Sequence, residues 1–259
     1  MKAPPEPEPS GVAARWAWAA LFAYPPAVAL GYILRLSAVD AFVLAALVAL
    51  LPLLAVAQVP LANASLAEAT PMDRSSVYIG SATTILLLGG VALAAGLGEP
   101  GALALGMLPL QVLLAWSCGL LAAAFALIAL FHALGRTLGI PDSLLLAALL
   151  PETGRERRLF VFLSVMAGLG EELAFRGYVL SQLASLGFGP WGAAIASAIP
   201  FGALHAYQGW WGSLRTGLLG FAFAASVVLS GSLWPAVIAH VGIDVVGGLW
   251  LGRWLLNRS

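Results

Sequence analysis

Charge is what this sequence has least of. Only 9% of its 259 residues are Asp, Glu, Lys or Arg, against about 25% in a soluble globular domain. Acids and bases balance at twelve each, so the formal net charge is zero. A chain without a basic surplus offers no electrostatic footprint for nucleic acid, and no nucleic-acid partner is expected. Cysteine is nearly absent as well. The single Cys118 excludes an intramolecular disulfide framework and reads as an apolar helix residue. The opening stretch, MKAPPEPEPS, lacks the basic-then-apolar pattern of a signal peptide. Rich in Pro and Glu, residues 1–13 read as a disordered tail.

What is there instead is oil. Hydrophobic residues make up 61% of the chain, more than the roughly 45–50% of a soluble fold. The fold class this predicts is all-α: a polytopic transmembrane helical bundle whose first partner is the lipid bilayer. Hydropathy along the sequence gives about eight spans, near residues 14–36, 39–59, 77–97, 107–134, 159–186, 191–206, 213–229 and 233–256. A polar connection over about 136–158 separates an N-terminal set, 14–135, from a C-terminal core, 159–256. It contains the apolar run SLLLAALL, too short to cross.

With an even number of spans both termini share one side. That side holds Lys2, Arg15, Arg74, Arg136, Arg155, Arg157, Arg158, Arg253 and Arg258, and the opposite side only Arg35. The positive-inside rule then sets both termini in the cytoplasm. The Ala-, Leu- and Gly-rich composition suggests a bacterial inner membrane. Gly248 and Gly252 form a G-x-x-x-G in the last span, explained by close helix approach within this chain. The oligomeric state is left open.

Ionisable groups at the bilayer centre cost about 2.5–3.5 kcal/mol each on the insertion scale. Glu171, Glu172, Arg176 and Asp244 all fall inside spans, so they must face one another or a wet cavity. Glu172 and Arg176 lie four apart on one helical face, in the acid-first order that favours an ion pair. Glu171 points about 100° away, which leaves it available as a general base. Phe201 and His205, in FGALH, share a face of the sixth span, and His240 and Asp244, in HVGID, share one of the eighth. Asp244 is expected to take a hydrogen bond from His240 and orient it.

Glu171, His205 and His240 would suffice as ligands for a divalent metal such as zinc. They would serve equally a metal-free, glutamate-activated water. Straight helices would set these three residues at depths differing by roughly 10 Å. Convergence therefore needs a tilted fifth helix, or a break in the sixth beneath HAYQGWWG. His132, near a span end, reads as a packing residue, and Arg215 as a snorkelling anchor.

The segments EELAFR, FGALH and HVGID resemble, in order, the motifs E-E-x-x-x-R, F-x-x-x-H and H-x-x-x-N/D of the CPBP family of intramembrane endopeptidases. That family includes type II CAAX prenyl endopeptidases, abortive-infection proteins and bacteriocin-immunity proteins. The resemblance covers about residues 159–253. It implies that Glu171 activates the attacking water, that His205 holds or polarises it, and that Glu172 and Arg176 orient and neutralise the site. It also implies that His240 and the residue four later stabilise the oxyanion. Here that residue is Asp244, and a carboxylate donates no hydrogen bond unless protonated.

The function these residues suggest is that of an intramembrane endopeptidase, a hydrolase of the CAAX endopeptidase kind, acting on a membrane-associated protein or peptide. Its competitors are a non-catalytic scaffold or immunity protein that keeps the polar site for folding, and a proton-coupled carrier. No inverted repeat with paired broken helices supports the carrier.

Overall fold

The computed structural model describes residues 8–68, 72–98, 103–141 and 143–252. It is helical throughout, with no strand among the described residues, as befits backbone that must satisfy its own hydrogen bonds in lipid. Helix α1 spans Pro9–Ile33, α2 Ala38–Ala67, α3 Arg74–Gly96 and α4 Leu110–Leu138. A short α5, Leu144–Ala148, interrupts the connection to the next long helix. Helix α6 opens as Gly154–Glu172, widens into π-helical turns over Leu173–Val179, and continues through Leu180–Leu183. Then come α7, Gly189–Leu204, α8, Gly209–Ser230, and α9, Trp234–Leu251.

Six of these are long and apolar enough to cross a membrane: α1, α2, α3, α4, α9 and the stretch Ala206–Ser230 that contains α8. The protein is an integral membrane protein of the polytopic helical kind. Besides the short α5, this leaves α6 and α7, which form a hairpin turned by Gly187 and Gly189, both at positive φ. It lies inside the bundle: α6 packs between α3 and α9, and α7 between α8 and α2. Helix α4 buttresses α8 and α9, while α1 packs on α2 at the periphery. Large apolar side chains such as Phe22, Leu87, Leu110 and Ile199 stay exposed, where lipid rather than protein is their solvent.

Several boundaries differ from the hydropathy reading. The first helix starts at Pro9, within the stretch expected to be a disordered tail; residues 1–7 lie outside the described residues. Pro25 and Pro26 remain inside α1 and Pro60 inside α2, which lipid-embedded helices tolerate when neighbours re-satisfy the freed carbonyls. The sixth span is shorter than a bilayer, at 16 residues. Arg253, Arg258 and the end of the last span, to 256, lie outside the described residues, as does Lys2.

Caps and loop contacts join the helices at both ends. Ser37 and Asp73 cap α2 and α3, and Thr153 with Glu156 forms a reciprocal capping box on α6. The Asp73 carboxylate, bonded by the Ser76 hydroxyl and by the Ser76 and Ser75 amides, is held below its ordinary value of 3.8. That contribution is present above the unfolded value and is lost as pH falls through the folded one. At one end, Arg74 reaches Ala148 O at 2.6 Å and Glu152 at 2.9 Å, and Ser143 Oγ donates to Tyr207 O at 2.6 Å. At the other, Ser232 Oγ donates to Gly106 O at 2.7 Å and Trp234 Nε1 to Leu105 O at 3.0 Å.

Glycines set how closely the inner helices approach. A Cβ on Gly89 of α3 would lie 2.6 Å from Cα of Gly170 on α6, and one on Gly168 would lie 2.5 Å from Val241 Cγ2 on α9. Gly248 faces Phe160 and Gly252 faces Leu150, so the G-x-x-x-G spacing is used within this chain. One test separates this packing from helix propensity. Gly89→Ala should destabilise the protein by about 1–3 kcal/mol through overpacking, while the adjacent Gly90→Ala, with nothing within 4 Å of its Cβ, should be neutral or stabilising. Melting of the two variants in detergent checks the contrast.

Candidate active site

The hairpin of α6 and α7 brings the polar residues level. Glu171 and His205 lie at the ends of nearly equal arms, residues 171–188 and 189–205, on either side of the turn. His205 is where α7 stops: its backbone leaves the helix at φ −94°, ψ 22°, and Ala206–Gln208 makes a single 3₁₀ turn before α8. The early end of α7 removes the depth mismatch that straight spans would impose.

Glu172 is fully buried, and one of its oxygens takes two donors. Arg176 Nη1 donates to Oε1 at 3.1 Å, and His240 Nδ1 donates to the same atom at 2.7 Å. Arg176 is itself 1% exposed. Its Nε donates to Gly220 O at 3.3 Å, and its guanidinium lies over the Phe201 ring at 3.8 Å and 5.6 Å from that of Phe223. Phe201 therefore forms a cation–π floor for the ion pair. Asp244 does not orient His240, contrary to the expectation from their spacing. The Nδ1 of His240 belongs to Glu172, and Asp244 Oδ2 stands 3.6 Å from Nε2 on the other side of the ring. A fully buried carboxylate needs that N–H more than one that is 34% exposed to its surroundings.

Glu171 turns away from the pair, as adjacent helical positions must. Its Oε2 lies 3.8 Å from His205 Nε2 and 3.9 Å from His240 Nε2, too far for direct hydrogen bonds. This oxygen is buried without a hydrogen-bond partner among the described residues, as are Glu172 Oε2 and Arg176 Nη2. His205 donates Nδ1–H to Phe201 O at 2.8 Å, so in the neutral ring its Nε2 is an acceptor.

Glu171, His205, His240 and Asp244 thus form a chain of neighbours 3.6 to 3.9 Å apart, with Glu172, Arg176 and Phe201 behind it. Zinc needs protein donors at about 2.0–2.2 Å from one centre. Among the described residues no group of His, Cys, Asp or Glu is arranged to hold a metal ion. The side chains as they stand do not fit one, and no catalytic step is routed through a metal.

Two further features were not legible from motif spacing. Gly220 leaves room for Arg176: a Cβ there would lie 2.7 Å from Nη2 and 2.8 Å from Phe201 Cδ1. Arg215 does not reach for lipid but donates to Gln208 Oε1 at 2.9 Å, which Thr216 also bonds at 3.0 Å. His132 lies part-buried on α4.

A buried carboxylate thus faces two imidazoles inside the helical bundle. Comparison with known families points to a protease. Residues 154–246, just over a third of the chain, match the family described as type II CAAX prenyl endopeptidase Rce1-like. That match supports the resemblance of this region to the CPBP family of CAAX-type proteases. No curated protein and no solved structure matches it.

The buried pair makes a separable prediction. Arg176→Ala leaves Glu172 buried without its cation and should cost about 3–5 kcal/mol. Adding Glu172→Gln to that variant removes the uncompensated charge and should recover part of the loss. Thermal unfolding in detergent of the single and double variants measures both; a double variant less stable than Arg176→Ala contradicts the pairing.

Proposed function

We propose that the protein is an intramembrane endopeptidase that hydrolyses a peptide bond of a membrane-associated protein or peptide with a water activated by Glu171. The observation that carries this reading is the unpartnered, buried Oε2 of Glu171, 3.8 and 3.9 Å from the Nε2 atoms of two histidines. A water seated beside these atoms can bond to the carboxylate and to a ring nitrogen at once.

The hydrogen-bonding capacity of each group supports the roles that follow. A water between these groups meets two acceptors, the Glu171 carboxylate and the neutral Nε2 of His205. Each accepts a hydrogen bond from one of its O–H groups, which leaves a lone pair free to face the substrate carbonyl. Glu171 accepts one proton as the oxygen attacks carbon, and can pass it to the leaving amine. His240 donates Nδ1–H to Glu172. When its ring is an imidazolium, Nε2–H is a second donor, directed to the space where the oxyanion forms. Glu172 accepts hydrogen bonds from both that ring and Arg176, so Glu172 and Arg176 position the site without touching substrate. Asp244, beside Nε2, contributes an oxyanion donor only in its protonated form.

The region 159–256 is read as the catalytic core, residues 14–135 as a supporting set of helices of their own type, and 136–158 as a cytoplasmic connection. Both termini are assigned to the cytoplasm of a bacterial inner membrane, supported by the arginines Arg74, Arg136, Arg155, Arg157 and Arg158 at one end of the bundle. A non-catalytic scaffold would need the buried ion pair but has no use for the bare carboxylate of Glu171.

Glu171→Gln is the direct test. The amide is nearly isosteric and removes a charge from the bilayer, so the folded yield should hold or rise. An amide accepts no proton from water, so turnover of a membrane-anchored peptide library should fall by about 10²–10⁴-fold. His240→Ala should lower kcat by about 10²–10³-fold. A chelator should leave wild-type turnover unchanged; loss of activity with recovery on adding zinc would replace this mechanism by a metal-dependent one. Wild-type rates in Glu171→Gln would remove the central residue.

A further inference from the structure

The N-terminal helices, outside the segment that matches the family, reach into the part of α6 that carries the motif. Asp40 sits in the first turn of α2, where Ser37 caps the helix by accepting the Asp40 amide at 3.1 Å. The Ser37 hydroxyl donates back to Asp40 Oδ2 at 2.6 Å. The other carboxylate oxygen, Oδ1, accepts Tyr178 OH at 2.9 Å and Gln182 Nε2 at 3.3 Å, both from α6. Tyr178 is 1% exposed, so its hydroxyl depends on this partner. Three donors thus lock one carboxylate between two helices.

Tyr178 is also part of the π-helical stretch Leu173–Val179, which has Arg176 near its middle and begins directly after Glu172. π-helical turns also occur at Ala46–Leu50, Ala184–Phe188 and Gly247–Leu251, but this stretch is the one that follows directly on Glu171 and Glu172. Relaxing such a stretch to α-helical winding would rotate the rest of α6 relative to Glu171 and Glu172. Something outside the helix must hold the wide form. At its middle Arg176 bonds Glu172; at its end Tyr178 bonds Asp40, as Gln182 does one turn further on.

We propose that Asp40 and Tyr178 are a positioning pair, which holds the π-helical register and thereby aims Arg176, Glu172 and His240. Neither residue touches substrate. The pair gives the N-terminal helices a specific part in the site: α2 anchors the far end of the motif segment. The kinetic consequence rests on the endopeptidase reading above; the structural consequence does not.

The experiment uses the full-length protein in detergent with Tyr178→Phe, Asp40→Ala, Asp40→Asn and the Asp40→Ala/Tyr178→Phe double variant. Turnover of the membrane-anchored peptide is measured alongside the ¹⁵N resonances of the labelled histidines, assigned by single His substitutions. Tyr178→Phe and Asp40→Ala should each lower kcat roughly tenfold with KM unchanged, the size expected of a small misplacement. The double variant should be no worse than either single one. Asp40→Asn, which keeps an acceptor oxygen, should restore most of the rate. The His240 resonance should move in the impaired variants, while that of His132, on α4, stays. If Asp40→Ala does not fold, Tyr178→Phe, which keeps the buried ring, decides alone. Unchanged kcat and an unmoved His240 signal in folded Tyr178→Phe would overturn the proposal, as would additive losses in the double variant. If the wild type has no turnover, the endopeptidase reading fails, and the His240 signal still decides for or against the pair.

Discussion

The Glu172 carboxylate, sealed from solvent inside a membrane protein, is the constraint on which the rest of the C-terminal half depends. An ion in that position is costly unless its lone pairs meet donors of opposite charge. Arg176 from the same helix and His240 from α9 meet it on one oxygen. Those two demands draw in three further elements. Phe201 of α7 lies beneath the guanidinium, Gly220 of α8 offers both its carbonyl and the room its missing Cβ leaves, and Gly168 lets α9 close on α6. The same contacts that neutralise the charge set the position of the histidine ring.

Adjacent glutamates then divide their work by helix geometry alone. One residue of offset turns the second side chain by about 100°, so Arg176 cannot serve both. Glu172 is committed to structure and orientation. Glu171 is left desolvated, near two imidazole nitrogens yet bonded to neither. In bulk water such a carboxylate would be one acid among many solvated ones. Buried here, its Oε2 has no hydrogen-bond partner among the described residues, and on that the proposed role of general base rests.

Helix length carries as much of the design as charge. Were α7 a full span, His205 would sit well away from Glu171. By stopping at Leu204 and turning through a single 3₁₀ turn into α8, the chain presents an imidazole at a helix end inside the bundle. Its Nδ1–H returns to the Phe201 carbonyl, a group that a terminating helix leaves without a backbone donor. The helix end thus satisfies its own carbonyl and fixes the tautomer in one contact.

Much of this was legible in the residues. Scarcity of charge and the length of the apolar runs decide for a helical membrane bundle, since no other open chain satisfies its backbone in lipid. Four-residue spacings decide which side chains share a helical face, and so the Glu172–Arg176 pair could be read from EELAFR. What spacing cannot express is a contact between helices. Whether His240 gives its Nδ1 to Asp244, four residues away, or to Glu172, 68 positions earlier in the chain, depends on how closely α9 lies against α6 and on which carboxylate is the more deeply buried. Where α7 ends, why Gly220 must lack a side chain, and how Asp40 reaches Tyr178 are decided in the same way. The sequence alone determined the helices and which residues each face bears; the tertiary structure decided the partners, because competition among buried polar groups is settled by distance and desolvation, neither of which is local along the chain.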